Sequence, residues 1–271
     1  MLLFLAVACS SGPDAAALVA PPVAVVAAAV APPAPPVWPA PGAPLRVLPG
    51  ARVEGTLLLD AGHGAAGNTG NTNWRCESEG DVMRRMADRV ATALAPVVTV
   101  RRTRPDATLV PYPDRLRASR SVAFLVSLHS DSRAGTDLHV DPATGCYVNS
   151  GAAGFAVLWS DEGAAELVAA RGAFARAVAR RMAEAGFPPY PGLDYGGLYE
   201  GDEVPGVFVD RHEAKQRIML LRRPIVPSVI IETHQAWDPE ESARWEEPAT
   251  WAAFAGAIGA AMGDVAAVER D

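Results

Sequence analysis

From residue 53 onward the chain alternates short runs that are apolar along most of their length with longer segments whose apolar residues recur every three or four positions. No other feature constrains the fold as much. A strand with one wet face alternates apolar and polar residues. TLLLDAG, VAFLVSLHS and PSVIIE are nearly continuous apolar runs, so their sheet must be covered on both sides. The pattern predicts one three-layer α/β domain over residues 51–267, with a twisted, mostly parallel or mixed sheet and helices on both faces. Strands are expected at TLLLDAG, VVTVRR, VAFLVSLHS, GFAVLWS, RIMLL and PSVIIE. Val82, Met86, Val90 and Leu94 form one helix face behind SEGD, which has capping-box form. YPDRLRASRS suggests a short helix. Leu167, Phe174, Val178 and Met182 mark a long helix ending at Gly186. Asp238, Pro239 and Glu241 open the next helix, and Trp251, Phe254, Ile258 and Met262 line the last. Residues 187–215, rich in Gly, Pro and Asp, read as a long surface loop. Residues 133–153 form a second loop, and both would build groove walls.

The N-terminal part has a different composition. The chain has 24 prolines among 271 residues, and residues 10–48 are almost entirely Ala, Val and Pro. Proline removes amide donors, so residues 10–50 are expected to be an extended tether rather than a packed unit. Residues 1–9, MLLFLAVAC, form a short apolar run ending at a cysteine among small residues. That is the form of a bacterial lipoprotein signal, with lipid on Cys9 and a plain secretory signal as the alternative. The run is far shorter than the roughly 20 residues a spanning helix needs. The expected location is the bacterial cell envelope, periplasmic and lipid-anchored. Cys76 and Cys146 then remain as a disulfide candidate in an oxidising compartment. The net charge of −7, with no basic block, excludes a nucleic-acid surface.

Three of the expected strands finish in polar groups that a core does not need. TLLLDAG leads to His63, VAFLVSL to His129, and PSVII to Glu232, with His234 two residues on. Sites in α/β sheets form at the carboxyl ends of strands. Glu79 adds a carboxylate in the first turn of the helix after the His63 loop. Two imidazoles and one carboxylate suit a hydrolytic zinc site, and a second, unligated carboxylate at Glu232 can carry a proton from water to a leaving nitrogen. Taken singly, each residue has an ordinary reading: a surface histidine, an acid at the positive end of a helix dipole, a helix-capping neighbour. Their coincidence at one sheet edge carries the zinc reading.

The same residues resemble the zinc-dependent N-acetylmuramoyl-L-alanine amidases, which cut peptidoglycan between muramic acid and the stem peptide. That family has Asp-Pro-Gly-His-Gly-Gly where this chain has DAGHGA, which matches His63 to its first zinc histidine. Its Glu-x-Asp-Leu at a helix start matches Glu79, with Glu77 as second choice. Its Thr-Arg matches Thr103 and Arg104, and an Arg in the following short helix matches Arg115. Its Ser-Ile-His-Ala-Asn becomes SLHSD, matching His129 to the other zinc histidine. LLRRPIVPSVIIE places the catalytic glutamate at Glu232. The family continues with Glu-x-Gly-Phe, and this chain departs from it with THQAWDP.

The resemblance implies Zn²⁺ held by His63, Glu79 and His129, with Glu232 as general base and then general acid. His234 is expected to reach the site, because residues two apart on a strand share a face, with a surface loop histidine as the alternative. Arg222 or Arg223 is expected to contact a stem-peptide carboxylate, with an ordinary solvated or paired arginine as the alternative. His139 and His212 read as surface residues. The expected partner is peptidoglycan, met by a monomer, and a protein activator is left open. Two rival readings stand beside this one: a related zinc hydrolase acting on another amide, and a non-catalytic envelope-binding lipoprotein that kept the fold.

Overall fold

The computed structural model describes residues 38–50 and 52–268. The signal-like run, Cys9 and the tether up to residue 37 lie outside the described residues. Strands β1 (Thr56–Ala61), β2 (Thr99–Arg102) and β3 (Phe124–Asp131) are interleaved with helices α1 (Glu79–Leu94) and α2 (Tyr112–Ser119). A small hairpin, β4 (His139–Val140) and β5 (Tyr147–Val148), precedes β6 (Ala156–Trp159) and the long helix α3 (Ala165–Glu184). Then come β7 (Tyr199–Gly201), β8 (Val207–Asp210), the single turn α4 (Met219–Arg222) and β9 (Ser228–Gln235). Helices α5 (Pro239–Arg244) and α6 (Pro248–Val268) follow.

The main sheet has seven strands in the order β2-β1-β3-β9-β6-β8-β7. Strands β2, β1, β3 and β9 run parallel, β6 is antiparallel to β9, and β7 is antiparallel to β8. The sheet is therefore mixed. Leu57, Leu59, Val126, Val229 and Ile231 face one side and pack with Met86, Val90, Phe174, Val178, Phe254 and Ile258 of α1, α3 and α6. On the other side Leu158, Phe208 and Ile230 meet Leu221 of α4 and the rings of Tyr190 and Tyr195. Burial on both faces is the reason the strands are continuously apolar. No helix among the described residues is long and apolar enough to cross a membrane.

Several expectations are corrected. RIMLL is not a strand: Leu220 and Leu221 are both buried on one helical turn, and the carboxylate of Asp210 accepts the Ile218 amide at 2.8 Å, which pins the start of that turn. A four-residue apolar run fits either conformation, and the tertiary contact decides. Residues 187–215 are not all loop. They contain β7 and β8, and all four residues of β8 are buried beside β6. The last part of the expected tether is folded: Leu48 is buried, Trp38 and Leu45 pack on the core, and the Arg46 amide donates to the Ala185 carbonyl at 3.0 Å. Asp238 caps α5 by accepting the Glu240 and Glu241 amides. Ser78 bonds the Asp81 side chain at 2.8 Å instead of a helix amide. Cys76 and Cys146 are disulfide-bonded, with Cα atoms 5.5 Å apart.

Candidate metal centre

Strand β1 ends in a turn of unusual backbone. His63 has φ 55° and Gly64 φ 63°, the left-handed region that glycine tolerates and β-branched or bulky residues avoid. A Cβ on Gly64 would run into the Arg104 guanidinium, and one on Gly62 would lie 2.6 Å from the Leu128 carbonyl oxygen. Two buried arginines hold the turn from beneath. Arg104 donates to the carbonyls of Gly62 (3.2 Å) and Gly80 (2.9 Å). Arg115 donates to Asp60 (3.2 Å), to the Ala61 carbonyl (3.0 Å) and to the His63 carbonyl. Asp60 also accepts from Thr103 and Ser127. Thr103, Arg104 and Arg115 thus hold the His63 turn in place.

The turn brings His63 to Glu79 in the first turn of α1, with Nε2 3.0 Å from Oε2. His129, near the end of β3, places Nδ1 3.1 Å from Oε1 of the same carboxylate. The donor atoms of His63, Glu79 and His129 all lie within 4.8 Å of one another. The backbone amides of Asn71 and Ser130 also donate to Glu79, each at 3.1 Å. Nδ1 of His63 lies 2.6 Å from Oδ1 of Asn68. With its Nδ1 proton given to Asn68, His63 leaves Nε2 facing the cluster: protonated it donates to Glu79, and deprotonated it would offer its lone pair to a metal. Glu77 turns away to Asn73 and Arg85.

The electrostatics favour a cation. Burial alone would raise the Glu79 pKa, but hydrogen bonds from His129 and His63 reverse this and hold it at about 2. Burial tends to lower His63, and its hydrogen bond and charge pairing with Glu79 raise it instead. A buried carboxylate kept ionised between two imidazoles attracts positive charge, and a His₂Glu donor set suits Zn²⁺. The residues therefore fit the metal.

Glu232 stands directly across the β3–β9 ladder from His129. Its Oε2 is buried with no hydrogen-bond partner. Burial, then the charges of Asp131 and Glu79, push its pKa well above the usual carboxylate range, against the pull of Arg133. His63, His129 and Glu232 open into a cleft of about 350 Å³ walled by Tyr112, Tyr199 and Met219. A larger groove of about 980 Å³ beside α3 holds none of the residues singled out from the sequence.

The other expected site residues lie elsewhere. Asp131 pairs with Gln235 while His129 pairs with Glu232, so β9 carries one extra residue across that step. This bulge breaks the alternation. His234 turns to the helix face, buried and stacked on Trp245 at 5.9 Å. Arg222 lies on α4, not on a strand, and donates to the Ala214 carbonyl at 3.3 Å. Arg223 is exposed, and neither arginine lines the cleft. His139 is exposed as expected. His212 is half-buried against Asp210 (2.8 Å) and the Tyr199 ring. Sequence reasoning passed over Asn68, Asn71, Tyr112 and Tyr199. The asparagine-rich NTGNTN between the two ligand motifs was the available signal, since such residues commonly bond to nearby backbone.

Two histidines at the carboxyl ends of parallel strands and a glutamate at a helix start, with a free carboxyl on the adjoining strand, form a cluster that could hold a metal ion. Residues 57–264 match the model of the N-acetylmuramoyl-L-alanine amidase family, and the chain belongs to that family. Solved structures share the fold. Ami1, an N-acetylmuramyl-L-alanine amidase from Mycobacterium smegmatis, is 21% identical with a TM-score of 0.60, covering 80% of this chain and 99% of its own. The catalytic domain of the amidase CwlV from Bacillus (Paenibacillus) polymyxa var. colistinus is 19% identical, TM-score 0.56, covering 79% and 99%. The amidase AmiC2 of Nostoc punctiforme is 19% identical, TM-score 0.53, covering 79% and 98%. No curated protein matches the chain.

Proposed function

We propose that this protein is a zinc-dependent hydrolase of the amide bond between N-acetylmuramic acid and L-alanine in peptidoglycan. The observation that carries the reading is the convergence of His63, Glu79 and His129 within 4.8 Å, with Glu232 unpartnered on the neighbouring strand. Family membership supplies the substrate. His63 through Nε2, Glu79 through its carboxylate and His129 through Nδ1 would hold the ion. Zinc at such a site supplies a Lewis acid and lowers the pKa of water toward neutrality.

Glu232 takes the proton from the attacking water at its free Oε2 and hands it to the leaving alanine nitrogen. Burial and the charges of Asp131 and Glu79 raise its pKa, the direction that helps a carboxyl pass a proton on to the leaving nitrogen. Asn68 fixes the His63 ring through Nδ1 and is itself anchored to the Tyr112 hydroxyl at 2.9 Å. Tyr112 and Tyr199 wall the cleft in which the scissile bond would lie.

The test is purified protein on isolated peptidoglycan. Release of free stem peptides that stops with a chelator is expected. Glu232→Gln should keep its metal and lose turnover by about 100-fold or more, whereas His129→Ala should lose both. A Glu232→Gln protein of near-normal rate would remove Glu232 from the base role. Cleavage of small amides alone would favour another amide as the natural substrate, and binding without cleavage a non-catalytic envelope protein.

Export and lipid attachment at Cys9 are part of the same proposal. The Cys76–Cys146 bridge supports an oxidising compartment. Cys9→Ser should move the protein from the membrane fraction to the soluble one, and unchanged fractionation would refute the anchor.

A further inference from the structure

We propose that the β4–β5 hairpin carries a saccharide-binding platform, Tyr147 backed by Trp237, that holds the glycan strand of the substrate beside the metal centre. The proposal rests on the amidase reading above. Val140 and Tyr147 are cross-strand partners and share a face. Both lie open to solvent, at 52% and 49% exposure. The Tyr147 ring lies 5.1 Å from that of Trp237 at a tilt of 39°. Exposed aromatic and aliphatic groups gathered on a rigid support mark a binding surface.

The support is rigid at each end. The indole Nε1 of Trp237 donates to the Thr72 carbonyl at 2.9 Å, and the Trp237 carbonyl accepts the Asn149 amide at 3.0 Å. Cys146, next to Tyr147, is bonded to Cys76. Asp137 ties the hairpin base by accepting the amides of Ser150 (2.9 Å) and Gly151 (3.0 Å). The platform is also tied to the metal centre through one loop. Thr72 follows Asn71, whose amide donates to Glu79 and whose side chain donates to the Ser130 carbonyl at 2.7 Å. One loop therefore carries a contact to the Glu79 carboxylate and the anchor of the indole.

The chemistry of the surface selects its occupant. A pyranose ring has a face of C–H groups and a rim of hydroxyl and amide groups. An aromatic face covers the first, and neighbouring polar groups receive the second. Residues 134–153 contain no Lys or Arg, so an anionic lipid or polyanion finds no countercharge there, while an uncharged sugar needs none. The substrate of this family carries such sugars next to the amide it presents.

The test compares full-length wild type, Tyr147→Ala and Tyr147→Phe in two assays. The first measures binding to glycan in the form of uncharged N-acetylglucosamine oligomers, which contain no muramoyl–alanine amide to cut. The second measures the ratio of kcat/KM on polymeric peptidoglycan to that on a single-sugar muramoyl-peptide. Tyr147→Ala should bind glycan about five- to tenfold more weakly and lower the ratio by a similar factor, while Tyr147→Phe, which keeps the ring, should stay within about twofold of wild type. Equal glycan binding by wild type and Tyr147→Ala overturns the platform. So does a wild-type dimer that Tyr147→Ala turns into monomers without change in glycan binding, since the patch then covers a second copy. If wild type binds glycan and cleaves no amide, the amidase reading fails and the platform stands. If it cleaves with an unchanged ratio in Tyr147→Ala, the platform fails alone.

Discussion

At Glu79 two imidazoles and two backbone amides converge on one buried carboxylate. Each contact opposes the cost of burying charge, so the acid stays ionised beside the place a cation would occupy. The same logic makes Asn68 a positioning residue. It accepts from Nδ1 of His63 at 2.6 Å and so leaves Nε2 facing the cluster. Asn68→Ala should weaken metal binding by about 10- to 100-fold while the fold persists. A competition titration against a chelator measures it, and wild-type affinity in the variant would exclude this role.

At the scale of elements, the bulge in β9 sorts two neighbours into different environments. Glu232 faces the cleft, while His234 lies behind it against Trp245. The Nδ1 of His234 meets the Thr233 hydroxyl at 2.8 Å, and that hydroxyl donates to the His129 carbonyl at 2.9 Å. The histidine thus braces the strand that carries His129. Burial, then the charge of Arg133, lowers its pKa to about 3. An unfolded histidine titrates near 6.5, so the unfolded chain binds the extra proton first. Stability from this group is complete above pH 6.5 and declines as pH falls toward 3, by about 1.4 kcal/mol per pH unit. Urea unfolding between pH 7 and 4 should show a shallower acid-side loss in His234→Phe than in wild type. Parallel curves for the two proteins would contradict the buried, neutral imidazole.

Across the whole molecule, one covalent link joins parts far apart in the chain. Cys76 lies in the loop that leads into α1, Cys146 on the hairpin between β3 and β6, with a sequence separation of 70 residues. The link closes a long loop and removes freedom from the unfolded chain. Reduction should cost about 2–4 kcal/mol of stability. Denaturant midpoints with and without reductant test this, and coincident midpoints after complete reduction would show that the noncovalent contacts suffice. Residues 38–50 add a second restraint: Leu48 approaches the backbone of Gly256 on α6 closely enough that a Cβ there would lie 3.0 Å from the Leu48 amide nitrogen and carbonyl oxygen.

The amino-acid sequence by itself determined the layered α/β architecture, because continuous apolar strands and helix-period faces are local patterns. It also supplied the residues that the fold gathers into one cluster and their order, His63, Glu79 and His129, each in a short motif at the end or start of one element. The tertiary structure alone decided matters that depend on pairing between distant segments. The register step between β3 and β9 sent His234 to the helix face, although its spacing from Glu232 predicts a shared face on an unbroken strand. The Asp210 contact made RIMLL a helical turn, which placed Arg222 and Arg223 outside the cleft. Burial beside β6 made a strand of Val207–Asp210 within a stretch that reads as loop. Periodicity is written residue by residue along the chain, whereas register and facing are set by which partner strand lies alongside, and that partner is remote in sequence.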